Sequence, residues 1–568
     1  MRTALLWITI SAAALAADSG EEVYNKRCSA CHEPDAFKSM PASRVLHFLD
    51  EGVMIPMAGP LTREERQAVA TFLGSSAAPL SVKPEAYCKD RRVNVPANSK
   101  FIWNGWSQSS GNTRYQTQAA ANLSLTQLKS LKLKWAFAFD GDLTSFSQPA
   151  VFGNQVFVGS SGGGIYALRA DTGCVQWMFQ VSAPVRTAIL VARQTVLFGD
   201  QSGAFFALDA ATGKQLWRKQ VDPHPAARIT GSPAMNDGVV YVATASWEET
   251  FASQASYECC SFRASVTAYR ISDGKELWKS YATPPGTNGA GIWSTPTVDT
   301  KRGMLYVTTG NNYSNPASDT SDAIVAMSLK DGAIAWSKQV TPNDIFGCRN
   351  CVPERGPDFD FGSSAMLVGE LLIAGQKSGV IYALDPNQKG KLVWQTRVAK
   401  GTSHGGIQFG MASDGQYVYA PIADGELVTT KGPDGIPRRG MDPQDGGGLV
   451  ALRVADGSVA WRAAPARACS GVKISGCSPS QLAAATVIPG AVFSGALDGH
   501  LRAYSTENGQ VLWDVITNTE FTAVNGVPAR GGSLNGSGPV VAGGMVFVNS
   551  GYDHFNSMTG NVLLAFGP

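Results

Sequence analysis

At 568 residues the chain is longer than one ordinary domain, and with 44% apolar residues it can bury a large core. Its formal charge is only +2, which excludes a strongly basic nucleic-acid face or a polybasic membrane patch as its organising feature. Its ten cysteines suit an oxidising compartment.

The first 17 residues read as an export signal. Arg2 precedes the apolar run from Ala4 to Ile10, and Ala14-Leu-Ala16 supplies small residues for cleavage. That run is shorter than the ~20 residues a membrane-spanning helix needs. Next comes Cys28-Ser-Ala-Cys31-His32, the C-x-x-C-H pattern of covalent c-type heme attachment. Each thiol takes one vinyl group of the porphyrin, and His32 reaches the iron. A methionine is expected as the second axial ligand, with Met54 favoured, Met57 next and Met40 behind them. Thr62 followed by Glu65 marks the start of an amphipathic helix running to Leu73. Residues 18–78 are thus expected to form a small all-α cytochrome domain, and 79–99, with their Pro and Asn, a linker.

From residue 100 onward a repeat takes over. Ala, Gly and Trp recur as Ala167–Gly173–Trp177, Ala207–Gly213–Trp217, Ala268–Gly274–Trp278, Ala326–Gly332–Trp336, Ala383–Gly390–Trp394, Ala451–Gly457–Trp461 and Ala503–Gly509–Trp513. Alternating runs such as Gln155-Val-Phe-Val-Gly precede most copies. Period-two alternation followed by a glycine turn is a hairpin, and its repetition predicts propeller blades. Trp135 has no upstream partner, while Val562-Leu-Leu-Ala565-Phe stops where a hairpin would begin. The two ends are therefore expected to complete one blade, giving eight and leaving no open sheet edge. Proximity pairs Cys88 with Cys174, Cys348 with Cys351 and Cys469 with Cys477, although spacing alone does not fix connectivity.

Trp103-Asn-Gly-Trp, Asn112-Thr-Arg-Tyr and Leu128-Lys-Ser-Leu-Lys-Leu-Lys-Trp135 resemble the lead-in of the eight-bladed quinoprotein alcohol dehydrogenases. The runs Ser494–Tyr504 and Ser550–Phe566 extend the resemblance over nearly the whole propeller. Such enzymes use pyrroloquinoline quinone (PQQ) with calcium. The resemblance implies Glu248 and Asn311 as calcium ligands, an oxygen set suited to a hard divalent ion, with adjacent Glu249 leaving the register of the acid open. It implies Trp293, in Gly291-Ile-Trp-Ser-Thr-Pro296, as the ring that stacks on the quinone. Thr230, Arg186 and Lys377 become polar contacts to the cofactor. Cys259 and Cys260 match a ring disulfide that covers the quinone in relatives, though they lie later in the chain than that pair does. For the general base, Trp336-Ser-Lys-Gln-Val-Thr-Pro-Asn-Asp344 is followed by an insertion and then Pro357-Asp-Phe-Asp-Phe-Gly362. Asp360 restores the expected Asp-aromatic-Gly order, Asp344 is the runner-up and Asp358 stays open.

The expectation is an all-β eight-bladed propeller preceded by a small cytochrome domain, an exported alcohol dehydrogenase. It would pass electrons from PQQ to heme c and on to an external cytochrome c. The substrate, a polymer of secondary alcohols or a small alcohol, stays open. Propeller scaffolds without PQQ, sugar dehydrogenases and a pure electron carrier are the competing classes.

Overall fold

Each repeat alanine faces its tryptophan across a hairpin, for example Ala167 opposite Trp177 and Ala207 opposite Trp217. The reason for the spacing lies one blade further on. Trp177 donates its indole N–H to the Ala210 carbonyl at 2.9 Å, and its ring lies against Gly213. At Gly213, φ is +70°, and a Cβ there would sit 2.7 Å from the Trp177 ring. Both the left-handed backbone and the missing side chain are therefore required. Ala, Gly and Trp recur together because each tryptophan docks its blade onto the next.

The computed structural model describes residues 18–29, 37, 40–50, 54, 58–74, 82–96, 99–252, 257–348, 355–431, 437–466, 469 and 476–568. Eight antiparallel sheets form the blades, each with four strands in meander order, and blade 1 gains a fifth short strand, Ile102–Trp103. Blades 1 to 7 span residues 150–180, 190–220, 234–281, 297–339, 366–397, 412–463 and 486–516. Blade 8 combines 540–567 with Lys132–Ala138, which pairs with Val562–Gly567 in a register that sets Trp135 opposite Ala565. The two chain ends close the ring, and the pair repeats the Ala–Trp facing of the other blades without the glycine turn. Innermost strands such as Thr486–Ile488 are wholly buried, whereas outer strands such as Gln215–Gln220 alternate between exposed and covered.

Among the described residues before the ring are three helices, Gly20–Arg27, Ala42–Asp50 and Arg63–Leu73. Capping boxes start the first and third, at Ser19–Glu22 and at the expected Thr62–Glu65. Val23, Tyr24, Val45, Leu49, Val69 and Leu73 pack into one core together with Met40. Cys28 and Met54 pack at its edge, while Cys31, His32 and Met57 lie outside the described residues. This helical unit meets the propeller through Arg44. Its guanidinium forms a buried ion pair with Asp142 and donates to the Asp140 carbonyl at 2.9 Å.

The segment expected to be a linker is fastened for much of its length. Cys88 is bonded to Cys174 with S–S 1.99 Å, and Val93 and Val95 join the core between blades 1 and 2. Cys469–Cys477 and Cys259–Cys260 are also formed, and Cys348 is disulfide-bonded, with Cys351 outside the described residues. Among the described residues no helix is long and apolar enough to cross a membrane.

Candidate active site

Loops from several blades meet around a central cavity of about 350 Å³. Its wall includes Arg186, Thr230, Trp293, Asn311, Asp360 and Lys377, six residues that the sequence singled out from separate blades. Trp293 also lines a second, much smaller void with Trp106 and Phe146, so its ring divides the two spaces. Phe409 meets that ring edge-on at 5.7 Å between centroids.

Asp360 is the best-tethered acid in the cavity. Its Oδ1 accepts the Asn311 backbone N–H at 2.8 Å, and its Oδ2 accepts Lys377 Nζ at 2.8 Å. Lys377 reaches Asp358 at 2.9 Å as well, and lies 5.4 Å from the centre of the Trp293 ring. Burial opposes the lysine charge, but Asp358, Asp360 and Glu249 outweigh it and hold the ammonium protonated. Burial likewise pushes the Asp358 carboxyl well up, against the pull of Lys377. The Asn311 side-chain amide donates to the carbonyls of Asn312 at 2.8 Å and Phe346 at 2.7 Å. Both of its hydrogens are thus committed, and Oδ1 is left as the acceptor at the cavity.

Three expectations are corrected. Glu248 does not reach the cavity; Glu249 does. Glu248 is fully buried on the other side of its helix, where it accepts backbone N–H groups from Ser261 at 2.9 Å and Phe262 at 2.7 Å. Burial alone would raise its carboxyl, but His224 and those two amides hold it below its ordinary value. Asp344 also turns away. Its carboxylate accepts the N–H groups of Asp358 at 3.2 Å and Phe359 at 2.8 Å, so it shapes the turn that presents Asp360. The Cys259–Cys260 disulfide is formed but is not part of the cavity wall, because its segment is drawn toward Glu248.

Two further wall residues are Glu249, which the sequence leaves as the alternative register to Glu248, and Arg228, which carries no signal in the sequence. Glu249, beside Asp360 in a buried cluster, is pushed up to about 7, by burial first and Asp360 second. Arg228 stacks on Trp247 at 3.8 Å, and its Nε has no hydrogen-bond partner. Burial, then the nearby Arg186, pushes its guanidinium down to about 10. Thr230 Oγ1 and Gln408 Oε1 are buried and unpartnered too. The cavity therefore offers a basic, hydrogen-bonding side at Arg186, Arg228 and Thr230, and an acidic side at Glu249, Asn311 and Asp360. Its mouth is edged by His404 and Phe555, whose rings meet edge-on at 4.4 Å.

This ring of eight blades, with acid, lysine and arginines gathered on its axis, defines the class as a propeller of the PQQ type. The family model described as outer membrane protein assembly factor BamB matches residues 105–321, 261–432 and 324–564. The chain is 37% identical to a polyvinylalcohol dehydrogenase from a Pseudomonas species, over 98% of this chain and 94% of that one. It is also 37% identical to the polyvinylalcohol dehydrogenase of Sphingopyxis sp. strain 113P3, over 96% and 92%. The chain belongs to the family of the polyvinylalcohol dehydrogenases. Among solved structures, quinohemoprotein alcohol dehydrogenase ADHIIG of Pseudomonas putida HK5 shares the fold, with a TM-score of 0.64 at 18% identity, covering 85% of this chain and 82% of that one. A europium-containing methanol dehydrogenase does so with a TM-score of 0.62 at 18% identity, covering 83% and 99%.

Proposed function

We propose that the protein is a periplasmic quinohemoprotein dehydrogenase that oxidises secondary alcohol groups, those of polyvinyl alcohol foremost, to ketones. The observation that carries this reading is the junction of Asp360, Lys377, Asn311 and Glu249 with two arginines at one cavity beside Trp293. The name borne by both relatives at 37% identity supports the polymer as substrate. Residues 1–17 are the export signal in this reading.

The cavity's chemistry suits PQQ and calcium. Arg186, Arg228 and the unpartnered Thr230 Oγ1 fit the carboxylates of the cofactor, and Trp293 offers a flat face. Glu249, Asn311 Oδ1 and Asp360 would supply the oxygen set for calcium. When bound, the quinone and its calcium supply a hydride acceptor and a Lewis acid. The chain's own part is proton transfer and positioning. Asp360 takes the proton of the substrate hydroxyl, while Lys377 and the Asn311 N–H fix its carboxylate from behind. The rings of His404 and Phe555 narrow the mouth against water. Cys28, Cys31, His32 and Met54 would hold heme c, which would supply an electron exit toward an external cytochrome c.

The test follows heme absorbance in protein supplied with PQQ and calcium, after adding polyvinyl alcohol or 2-propanol. Reduction should require both additions, and Asp360→Asn should slow it by about 10²- to 10⁴-fold. Reduction by 2-propanol alone would keep the site and discard the polymer. A heme-loaded protein that no alcohol reduces would refute the enzyme.

A further inference from the structure

The helix Glu248–Ala252 carries two adjacent acids with different surroundings. Neighbouring residues on a helix point about 100° apart, so fixing one direction fixes the other. Glu248 is held firmly. Its Oε1 accepts the Tyr257 hydroxyl at 3.1 Å and the Ser261 N–H at 2.9 Å, and its Oε2 accepts the Phe262 N–H at 2.7 Å. Its own N–H donates to Ser246 Oγ at 2.8 Å. These donors flank the Cys259–Cys260 pair, so one buried carboxylate grips both sides of that segment.

His224 completes the grip. Its Nδ1 accepts the Ala226 N–H at 3.1 Å, which leaves Nε2 as the donor, 3.1 Å from Ser261 Oγ and 3.5 Å from Glu248 Oε1. The His224 backbone is tied in turn to Asp222, which pairs with Lys279 at 2.6 Å. On the opposite side of the helix, Glu249 shares the cavity with Asp358 and Asp360. Lys377 already bridges Asp358 and Asp360 there, so the direction of Glu249 is set by its helix, and Glu248 is the acid that tethers that helix.

We infer that Glu248 is a positioning residue: by clamping Tyr257–Phe262 to its helix, it holds the orientation that presents Glu249 to the divalent cation of the cavity. The inference rests on the proposed role of Glu249 in holding calcium. It assigns a task to a buried acid that touches neither substrate nor cofactor.

The test uses the full chain loaded with PQQ, stripped of metal by chelation and titrated with calcium, read by calorimetry and by quinone absorbance. Glu248→Gln places an amide N–H₂ or a single oxygen against several donors, and should weaken calcium binding about 10- to 100-fold. Tyr257→Phe removes one donor only and should give a smaller loss in the same direction. Gly213→Ala, at a distant blade interface, should lower the melting temperature and leave calcium affinity as in the wild type. Glu248→Gln and Tyr257→Phe variants that melt earlier yet bind calcium normally would show a merely structural role and overturn the inference. If Glu248→Gln fails to fold, unchanged affinity in Tyr257→Phe overturns it alone. A wild-type protein that binds no calcium, with Glu249→Gln equally silent, would remove the underlying reading and this inference with it.

Discussion

Arg228 sits in the cavity wall with its Nε unpartnered, while Arg186 lies against the faces of Phe146 and Phe409. A buried guanidinium left short of acceptors is costly unless an anion completes it. Under the proposed function that anion is a carboxylate of the cofactor. Arg228→Ala should weaken PQQ binding roughly 10- to 100-fold, the loss of one hydrogen bond to a charged group. Arg228→Lys should recover only part of it, because a point charge cannot reproduce the planar fork. Titration of the cofactor into calcium-loaded apoprotein reads both, and equal affinities in all three proteins would take Arg228 out of the site. Nothing adjacent to Arg228 in the sequence marks it, since the residue belongs to a short strand whose direction only the fold supplies. That Asp360 faces the cavity was legible, because the order Asp-Phe-Gly survives the insertion before it; its role as base belongs to the proposed function. The choice between Glu248 and Glu249 was not legible, because it depends on the rotation of a five-residue helix.

Among the elements, the blades were readable because one contact recurs at seven junctions, a tryptophan on the glycine of the next sheet, with Trp513 against Phe566 at the eighth. The stretch 79–99 was harder. Its prolines and asparagines have the composition of a tether, yet Val93, Val95 and the Cys88–Cys174 bond lay it against the propeller, which only a partner surface can reveal. The helical unit is fixed beyond it by Arg44. That guanidinium is nearly buried against Asp142, and breaking such a pair leaves a carboxylate stranded at a cost of about 3–5 kcal/mol. Arg44→Ala should therefore loosen the helices from the ring without unfolding the blades. Protease nicking between the third helix and Cys88 should speed up. Reduction of external cytochrome c should fall further than reduction of a dye small enough to reach the cavity directly. If both acceptors slow equally, the helical unit is not the electron exit.

At the scale of the whole molecule, ring closure does not rest on the shared blade alone. The lead-in threads the axis and touches one blade after another. Ile102–Trp103 adds to blade 1, the Gly105 N–H bonds the Ile189 carbonyl at 3.1 Å, and Val298 bonds the Ser110 carbonyl at 3.0 Å. Leu367 reaches Gly111 at 2.8 Å, Ser413 reaches Thr113 at 2.8 Å and Val487 reaches Arg114 at 3.0 Å. Arg114 is the knot in this thread. Wholly buried, its guanidinium donates to the carbonyls of Ala485 at 2.6 Å and Ser537 at 2.7 Å and to Gln148 Oε1 at 2.7 Å, joining blades 7, 8 and 1 where the ring closes. Burial pushes its pKa down to about 9, still above neutrality, so the group stays charged and its donors stay available at pH 7. Arg114→Met removes the fork and leaves those acceptors unpaired, at a cost of about 3–5 kcal/mol. Arg114→Lys should be nearly as damaging, because three donors on a flexible stem cannot serve so many acceptors in a plane. Calorimetric melts of the full chain should show both variants unfolding well below the wild type. A melt unchanged in either would mean that the blade 8 strand pairing closes the ring unaided.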